Sequence, residues 1–246
     1  MKSSDISRTD RDLGAVIDHA VLHPAATAAE LIAGCETAMR YETAAFCTPS
    51  SAVPLAVRHL RGSAVKPCTV VGFPHGNAVT AAKIHEAIRA VEEGALEVDM
   101  VINIGWAKDN RFFSAVDDEI AAIQEAVTER GAILKVIFET CFLNETQIVR
   151  LCESAVSAGA AFVKTSTGFG TAGASEAHVA LMKRSVPPET GIKASGGIRT
   201  LSDVERMLDA GASRIGTSST VAILEEIKGG HRGPSLHDYS KSKLIS

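Results

Sequence analysis

The chain contains the stretch Ile133-Leu-Lys-Val-Ile-Phe138, in which a lysine lies inside an apolar segment built like a buried strand. Two later stretches share this design, Ala161-Phe-Val-Lys-Thr165 and Gly191-Ile-Lys-Ala-Ser195. Lysine is almost never fully buried without a partner, because desolvation penalises its charged form. Successive lysines are 29 residues apart (164 − 135 = 29 and 193 − 164 = 29), about one strand and one helix. The spacing predicts that the three lysines stand on consecutive strands and converge on one site.

Outward from these segments, runs rich in Val, Ile, Phe and Ala alternate with stretches of helical periodicity, about eight times in the chain. Most runs lack the polar alternation of a half-exposed sheet, which suits parallel strands covered on both faces. This pattern in 246 residues predicts an α/β protein, a single-domain (β/α)8 TIM barrel over residues 1–228 with a flexible polar tail at 229–246. The predicted strands are 15–22, 43–48, 68–73, 97–103, 133–139, 162–167, 192–195 and 214–216.

Two of the predicted connecting helices carry their own end signals. The first begins at Asn144 and ends at Gly159, and the second begins at Thr200 and ends at Gly211. Asn and Thr accept hydrogen bonds from the first turn of a helix, and glycine adopts the left-handed backbone that closes the last turn. These signals support helices between the strands.

Composition excludes several classes of function. The net charge is −4 and no basic stripe with interleaved aromatic residues is present, so we expect neither nucleic acid nor a membrane as partner. The five cysteines form no C-x-x-C pair and the histidines no H-E-x-x-H motif, so we expect reduced thiols, no metal and no cofactor. A polar N-terminal segment without a long apolar run predicts a cytoplasmic protein.

Turns rich in glycine and serine follow the predicted seventh and eighth strands, Ser195-Gly-Gly-Ile-Arg-Thr200 and Gly216-Thr-Ser-Ser219. In (β/α)8 barrels phosphate commonly binds at this place, on backbone N–H groups and helix N-termini. Either turn alone is better explained as a strand-to-helix connection, but two in neighbouring units favour a phosphate site. The predicted phosphate-binding residues are Gly168, Gly196, Gly197, Arg199, Gly216, Ser218 and Ser219.

The lysines suggest amine chemistry. A lysine with a pKa of about 10.4 is neutral in only about one molecule in a thousand near pH 7, and a neighbouring cation shifts this balance towards the neutral amine. A neutral amine attacks a carbonyl to form an imine, which draws electrons and eases carbon–carbon cleavage, as in class I aldolases. For any single lysine a structural ion pair is an equally good explanation, with Asp18, Asp99 and Glu139 as available partners. Three lysines beside a phosphate pocket favour catalysis.

Several motifs together resemble the deoxyribose-phosphate aldolase family, over residues 16 to about 225. The longest are Glu97-Val-Asp-Met-Val-Ile-Asn-Ile-Gly105, Phe162-Val-Lys-Thr-Ser-Thr-Gly-Phe-Gly170 and Ile192-Lys-Ala-Ser-Gly-Gly-Ile-Arg199. Ile17-Asp-His19 and Gly72-Phe-Pro-His-Gly76 also match. The resemblance implies a carbon–carbon lyase that reversibly cleaves 2-deoxy-D-ribose 5-phosphate to acetaldehyde and D-glyceraldehyde 3-phosphate.

The resemblance also assigns roles that spacing alone leaves open between Lys164 and Lys193. It implies that Lys164 forms the Schiff base, that Lys193 lowers its pKa, and that Asp99 acts through a water as general acid and base. Asp18 would join the proton network and Lys135 would be a supporting charge. The implied partners are a small sugar phosphate and aldehydes, in a homodimer.

One position departs from the family pattern and keeps alternatives open. Ala20 stands where many members have a threonine, so a hydroxyl is missing next to the predicted site. One alternative is therefore a Schiff-base aldolase acting on a different sugar or sugar phosphate. Another is a barrel that does not form a Schiff base, either a sugar-phosphate isomerase or a binding protein. Reactivity of the Lys164 amine distinguishes these classes.

Overall fold

The computed structural model describes residues 13–228, which form a closed barrel of eight parallel strands. The strands follow one another around the barrel in chain order, and the last pairs with the first. The prediction of a (β/α)8 TIM barrel is confirmed, whereas the predicted tail, 229–246, lies outside the described residues. The strands are β1 (Ile17–Ala20), β2 (Ala45–Thr48), β3 (Lys66–Val71), β4 (Glu97–Val101), β5 (Ile133–Ile137), β6 (Phe162–Lys164), β7 (Gly191–Ser195) and β8 (Arg214–Thr217).

Helices connect these strands and cover the outside of the barrel with their apolar faces. Among residues 13–228, no helix is both long and apolar enough to cross a membrane. The helices are α1 (Ala28–Arg40), α2 (Val53–His59), α3 (Thr80–Glu92), α4 (Ile104–Lys108), α5 (Phe113–Thr128), α6 (Glu145–Ala158), α7 (Glu176–Ser185), α8 (Leu201–Asp209) and α9 (Thr220–Lys228).

The predicted helix signals are largely confirmed. Asn144 caps α6 by accepting a hydrogen bond from the N–H of Gln147, and Gly159 closes the helix with a left-handed backbone at φ 84°. Thr200 caps α8 in the same way. This second helix ends at Asp209, earlier than predicted, and Gly211 lies in the turn that follows it.

The predicted strands extend too far at several ends. The sixth was predicted to reach Thr167, but β6 ends at Lys164, and the residues that follow it bond to the end of β7 and to the loop after β5. The Thr165 hydroxyl donates to the carbonyl of Ser195, and Thr167 contacts Glu139. A run of β-branched residues indicates an extended chain, but it does not show where the hydrogen-bonded ladder stops.

The register of the strands fixes the height of each lysine inside the barrel. Lys164 and Lys193 are directly paired on β6 and β7, so they lie at the same level. Lys135 on β5 lies two residues lower, because Ile137 is the residue paired with Lys164. The prediction that the three lysines stand on consecutive strands is confirmed. Asp99 on β4 is paired with Lys135 and completes this part of the interior.

A buried histidine connects the first strand to the last helix. His19 Nδ1 and the Thr220 hydroxyl share a hydrogen bond of 2.9 Å, and Phe46 lies beside the imidazole ring. Burial lowers the pKa of His19 to about 4. The imidazole is therefore neutral in the folded protein at ordinary pH.

This histidine predicts a loss of stability in mildly acidic solution. Between about pH 6.5 and pH 4 the unfolded chain binds a proton on His19 that the folded chain does not, so the free energy of unfolding falls as the pH is lowered. The loss is roughly 3 kcal/mol over this window. Urea unfolding at a series of pH values measures it, and His19→Gln should flatten the slope. His59→Gln, at an exposed position, is the control, and equal slopes for the two variants would contradict the prediction.

Candidate active site

A group of charged side chains from six strands fills the centre of the barrel, and we call it the interior ionic cluster. It contains four cations and three carboxylates, so it carries one positive charge in excess when all are ionised. Lys164 is 3% exposed and Arg214 11%, while the carboxylates are fully buried. The members are Asp18, Glu97, Asp99, Lys135, Lys164, Lys193 and Arg214.

Two lysines share one carboxylate oxygen at the upper level of this cluster. Lys164 Nζ lies 2.6 Å from Asp99 Oδ2, and Lys193 Nζ lies 2.7 Å from the same atom. Lys193 also donates to Asp18. The strand register brings the two amines side by side, and a single carboxylate faces both of them.

Lys135 lies below this pair, and its ammonium group contacts three carboxylates from the side away from the cavity. Its Nζ is 2.7 Å from Asp99 Oδ1, 2.7 Å from Glu97 Oε2 and 3.1 Å from Asp18 Oδ2. The side chain is fully buried. This placement suits a supporting charge and gives the amine no path to a substrate.

The ion pairs decide the charge states in the cluster. Burial alone would raise the pKa of Asp99, but Lys135, Lys164 and Lys193 together hold it well below its usual range. The pKa of Asp18 is lowered for the same reason. Burial alone would lower the pKa of Lys193, but Asp18 and Asp99 raise it above its usual value. Both carboxylates are therefore ionised at neutral pH, and Lys193 is protonated.

Two members of the cluster, Glu97 and Arg214, were not predicted from the sequence. Arg214 Nη1 lies 2.6 Å from Asp18 Oδ1 and 3.0 Å from Glu97 Oε2, and so joins the last strand to the first and the fourth. A signal for Glu97 was present, because residues two apart on a strand share a face and Glu97 precedes Asp99 by two. Arg214 likewise lies two residues before Gly216, a predicted phosphate-binding residue on the same strand.

A cavity of about 380 Å³ opens above Lys164 and Lys193. Ala20 and Cys47 line its wall, and the loops after β6, β7 and β8 form the rest. The structure brings all the predicted phosphate-binding residues to this cavity: Gly168, Gly196, Gly197, Arg199, Gly216, Ser218 and Ser219. The loops predicted to bind phosphate and the two amines thus face the same space.

Three of these glycines have left-handed backbones, with φ of 88° at Gly168, 84° at Gly196 and 80° at Gly197. A Cβ on Gly196 would lie 3.0 Å from the Cα of Gly173 and 3.3 Å from the Cα of Gly168, so the loops after β6 and β7 pack too closely for a side chain. Turns in such conformations expose successive N–H groups that bind anions.

Glu139 has a different role from the one the sequence suggested. It was an available partner for a buried lysine, but its carboxylate accepts hydrogen bonds from the hydroxyl and the N–H of Thr167. Its backbone is left-handed at φ 47°, which is uncommon for a residue with a side chain. Glu139 therefore steadies the loop after β6, whereas Asp18 and Asp99 neutralise the lysines.

Donor atoms that suit a metal ion occur inside the cluster, but the charges oppose a divalent cation. The side-chain donors of Cys47, Cys68 and Asp99 lie within 4.8 Å of one another. Lys135 Nζ lies only 2.7 Å from Asp99 Oδ1 and 3.3 Å from Cys68 Sγ. An added dication would meet an ammonium group at these donors in a cluster that is already positive.

Comparison with known proteins agrees with this geometry. The family model for DeoC/LacD family aldolases matches residues 14–227. A deoxyribose-phosphate aldolase from Carboxydothermus hydrogenoformans is 46% identical over 216 residues, which are 87% of this chain and 95% of that protein.

Two solved structures are similar over most of their length. The tetrameric deoxyribose phosphate aldolase from Aeropyrum pernix matches with a TM-score of 0.83 and 33% identity, over 92% of this chain and 95% of that one. An aldolase named QR15 also has a TM-score of 0.83, with 38% identity over 89% of this chain and 97% of that one. The resemblance seen in the motifs is confirmed, and the chain belongs to the DeoC/LacD family of aldolases.

Proposed function

We propose that this protein is a class I aldolase that reversibly cleaves 2-deoxy-D-ribose 5-phosphate to acetaldehyde and D-glyceraldehyde 3-phosphate, with no cofactor. The observation that carries the proposal is the position of Lys164 Nζ, at the floor of the cavity, 2.6 Å from Asp99. The relative from Carboxydothermus hydrogenoformans, named a deoxyribose-phosphate aldolase, supports the choice of substrate.

The charges of the interior ionic cluster support Lys164 as the nucleophile. The cluster has one cation more than it has carboxylates, so loss of one proton makes it neutral. Within residues 13–228, Lys164 has one carboxylate partner, whereas Lys193 has two and Lys135 has three. Lys164 is also at the cavity, where a substrate or a water can accept its proton. It is the cation that the cluster holds least firmly.

The reaction then proceeds through an imine. The neutral Lys164 amine attacks the aldehyde carbon of the open-chain sugar, and water leaves as the protonated imine forms. A water held by Asp99 removes the proton from the C3 hydroxyl, and the electrons of the C2–C3 bond move towards the imine. Glyceraldehyde 3-phosphate departs, and protonation and hydrolysis of the remaining enamine release acetaldehyde and restore Lys164.

The other charged residues keep this arrangement in place. Lys193 stays protonated and competes for Asp99, so that the carboxylate does not neutralise Lys164 alone. Asp18 holds Lys193 from the opposite side, and Lys135 balances the carboxylates from below. Asp18 and Lys135 are positioning residues, because they contact other members of the cluster, whereas Asp99 contacts Lys164 itself.

The loops after β6, β7 and β8 are proposed to bind the phosphate of the sugar. Turns with left-handed glycines present successive N–H groups that can bind an anion, and Ser218 and Ser219 lie immediately before α9. A helix N-terminus favours an anion through its dipole and its unpaired N–H groups. Arg199 adds a positive side chain to the lining of the cavity.

Ala20 favours a second candidate within the same chemistry, a Schiff-base aldolase for a different sugar phosphate. Its methyl group lines the cavity at the end of β1, where a threonine would offer a hydroxyl to the substrate. Comparing the cleavage rate of deoxyribose 5-phosphate with those of other phosphorylated sugars separates the two candidates. Ala20→Thr should raise the rate with deoxyribose 5-phosphate if the native substrate is another sugar.

The proposed assembly and location follow the family analogy. We propose a homodimer in the cytoplasm, with small sugar phosphates and aldehydes as the molecules that it binds. Light scattering of the purified chain measures the assembly.

Trapping of the imine tests the nucleophile. Borohydride added with acetaldehyde should fix an ethyl group on Lys164, because reduction converts the imine to a stable secondary amine. Peptide mass mapping locates the adduct. Lys164→Arg keeps the positive charge but cannot form the imine, so we expect at least a thousandfold loss of cleavage, on the order of 4 kcal/mol.

Lys66→Arg is the matched control, because Lys66 lies on β3 with its side chain half exposed. It should retain both the adduct and the cleavage activity. An adduct that maps to Lys193, or normal cleavage by Lys164→Arg, would show that the assignment of the nucleophile is wrong.

Paired substrates test the phosphate loops. Replacing both serines, Ser218→Ala with Ser219→Ala, removes two hydroxyl donors, each worth about 1.5–3 kcal/mol to a charged group. We expect kcat/KM for deoxyribose 5-phosphate to fall at least tenfold, and kcat/KM for unphosphorylated deoxyribose to change little. The control is Ser202→Ala, at an exposed position in the first turn of α8. Equal efficiency of the parent protein on both substrates would refute the phosphate assignment.

A further inference from the structure

Two thiols lie side by side beneath the cavity, and the proposed reaction uses neither of them. Cys47 on β2 and Cys68 on β3 are directly paired residues of neighbouring strands. Cys47 lines the cavity, and Cys68 Sγ lies 3.4 Å from Asp99 Oδ1. Both side chains therefore point into the barrel, and their sulfur atoms are within 4.8 Å of each other.

The backbone already has the spacing of a disulfide. Neighbouring strands are about 4.8 Å apart, and the Cα atoms of disulfide-bonded cysteines are usually about 4.4–6.8 Å apart. Because the two residues are in register and their side chains share a face, the strand spacing is compatible with a disulfide between them.

The neighbours of Cys47 lower the pKa of its thiol. The adjacent Cys68 sulfur has the largest effect, Lys193 and Lys164 act in the same direction, and together they outweigh burial and the Asp99 carboxylate. The pKa of Cys68 is raised well above its usual value, mainly by burial. Cys47 is thus the nucleophilic thiol, and Cys68 is a protonated neighbour.

We propose that Cys47 and Cys68 form an oxidisable pair that hydrogen peroxide converts to a disulfide, which reversibly switches off the active site. The Cys47 thiolate attacks one peroxide oxygen, giving a sulfenic acid and hydroxide, which takes up a proton to form water. The Cys68 sulfur then attacks the Cys47 sulfur, and the hydroxyl group leaves as water with the Cys68 proton. The two thiols lose two electrons in total and the peroxide gains them.

The disulfide would act on the catalytic carboxylate. In the reduced protein the Cys68 thiol donates to Asp99 Oδ1 and accepts from Lys135 at 3.3 Å. Oxidation removes that donor and draws the sulfur towards Cys47, so Asp99 loses a partner on the side opposite Lys164. Imine formation at Lys164 should fall at least fivefold.

Peptide mapping tests the linkage directly. The Cys141→Ser variant, which lacks the half-buried thiol, is treated with hydrogen peroxide, alkylated under denaturing conditions and digested. We expect a Cys47–Cys68 cross-linked peptide that disappears after dithiothreitol. Cys35 and Cys152 are internal controls, because burial raises the pKa of Cys35 to about 11 and that of Cys152 to about 12, and both should remain alkylated.

Two further variants, made in the Cys141→Ser background, separate disulfide formation from other oxidative damage. Each is trapped with borohydride and acetaldehyde after peroxide treatment and compared with its own untreated sample. Cys68→Ser should still lose the Lys164 adduct in peroxide but should not recover with dithiothreitol, because a Cys47 sulfenic acid without a neighbouring thiol oxidises further. Cys47→Ser should keep its adduct.

The proposal would be overturned if the cross-linked peptide were absent, or if dithiothreitol restored the Lys164 adduct of peroxide-treated Cys68→Ser. Restoration of the adduct by a chelator alone would also overturn it. Because the cross-link is read by mass, its presence supports the dithiol pair even if no adduct forms in untreated protein. The lack of an adduct in untreated protein would count against the proposed Schiff base instead.

Discussion

Four cationic and three anionic side chains share the interior of this barrel, and each is held there by the strand that carries it. Moving an ion out of water costs several kcal/mol, so each of these charges is tolerable only because an opposite charge touches it. Because there are four cations and three carboxylates, one cation has no carboxylate of its own. Lys164 is in that position, because within the described residues 13–228 Asp99 is its one carboxylate partner, and Lys193 shares that group. The surplus positive charge thus lies at the amine that we propose as the nucleophile.

The barrel separates two tasks along its axis. Its interior supplies charges whose heights follow from strand register, since Lys135 lies two residues below Lys164. The loops at the carboxyl ends of the last strands carry the glycines and serines that we propose bind the phosphate at the mouth. In the proposed complex, a substrate held there by its phosphate presents its carbonyl to the floor, so the distance between the two sets would select a chain of suitable length. Glu139, just after β5, accepts a hydrogen bond from Thr167 in the loop after β6 and so links the end of the barrel to the mouth.

Much of this arrangement was predictable from the sequence, because periodicity and spacing are local properties. The repeated 29-residue interval placed the lysines on consecutive strands, and the glycine and serine turns indicated which loops meet them. Contacts across the barrel were not predictable. Arg214 is the first residue of β8, and its neighbours in the sequence do not indicate a buried ion pair. It reaches Asp18 and Glu97 because β8 closes against β1. Glu139 was misjudged because its left-handed backbone turns the carboxylate away from the lysines.

The pair formed by Asp18 and Arg214 links the two ends of the barrel, since one residue belongs to β1 and the other to β8. A half-barrel made from the first four strands would hold three carboxylates and lack all four cations, and the second half would hold the reverse. Neither half has opposite charges of its own in the cluster, so burying these side chains requires both halves. The interior ionic cluster is therefore complete only when β8 closes against β1.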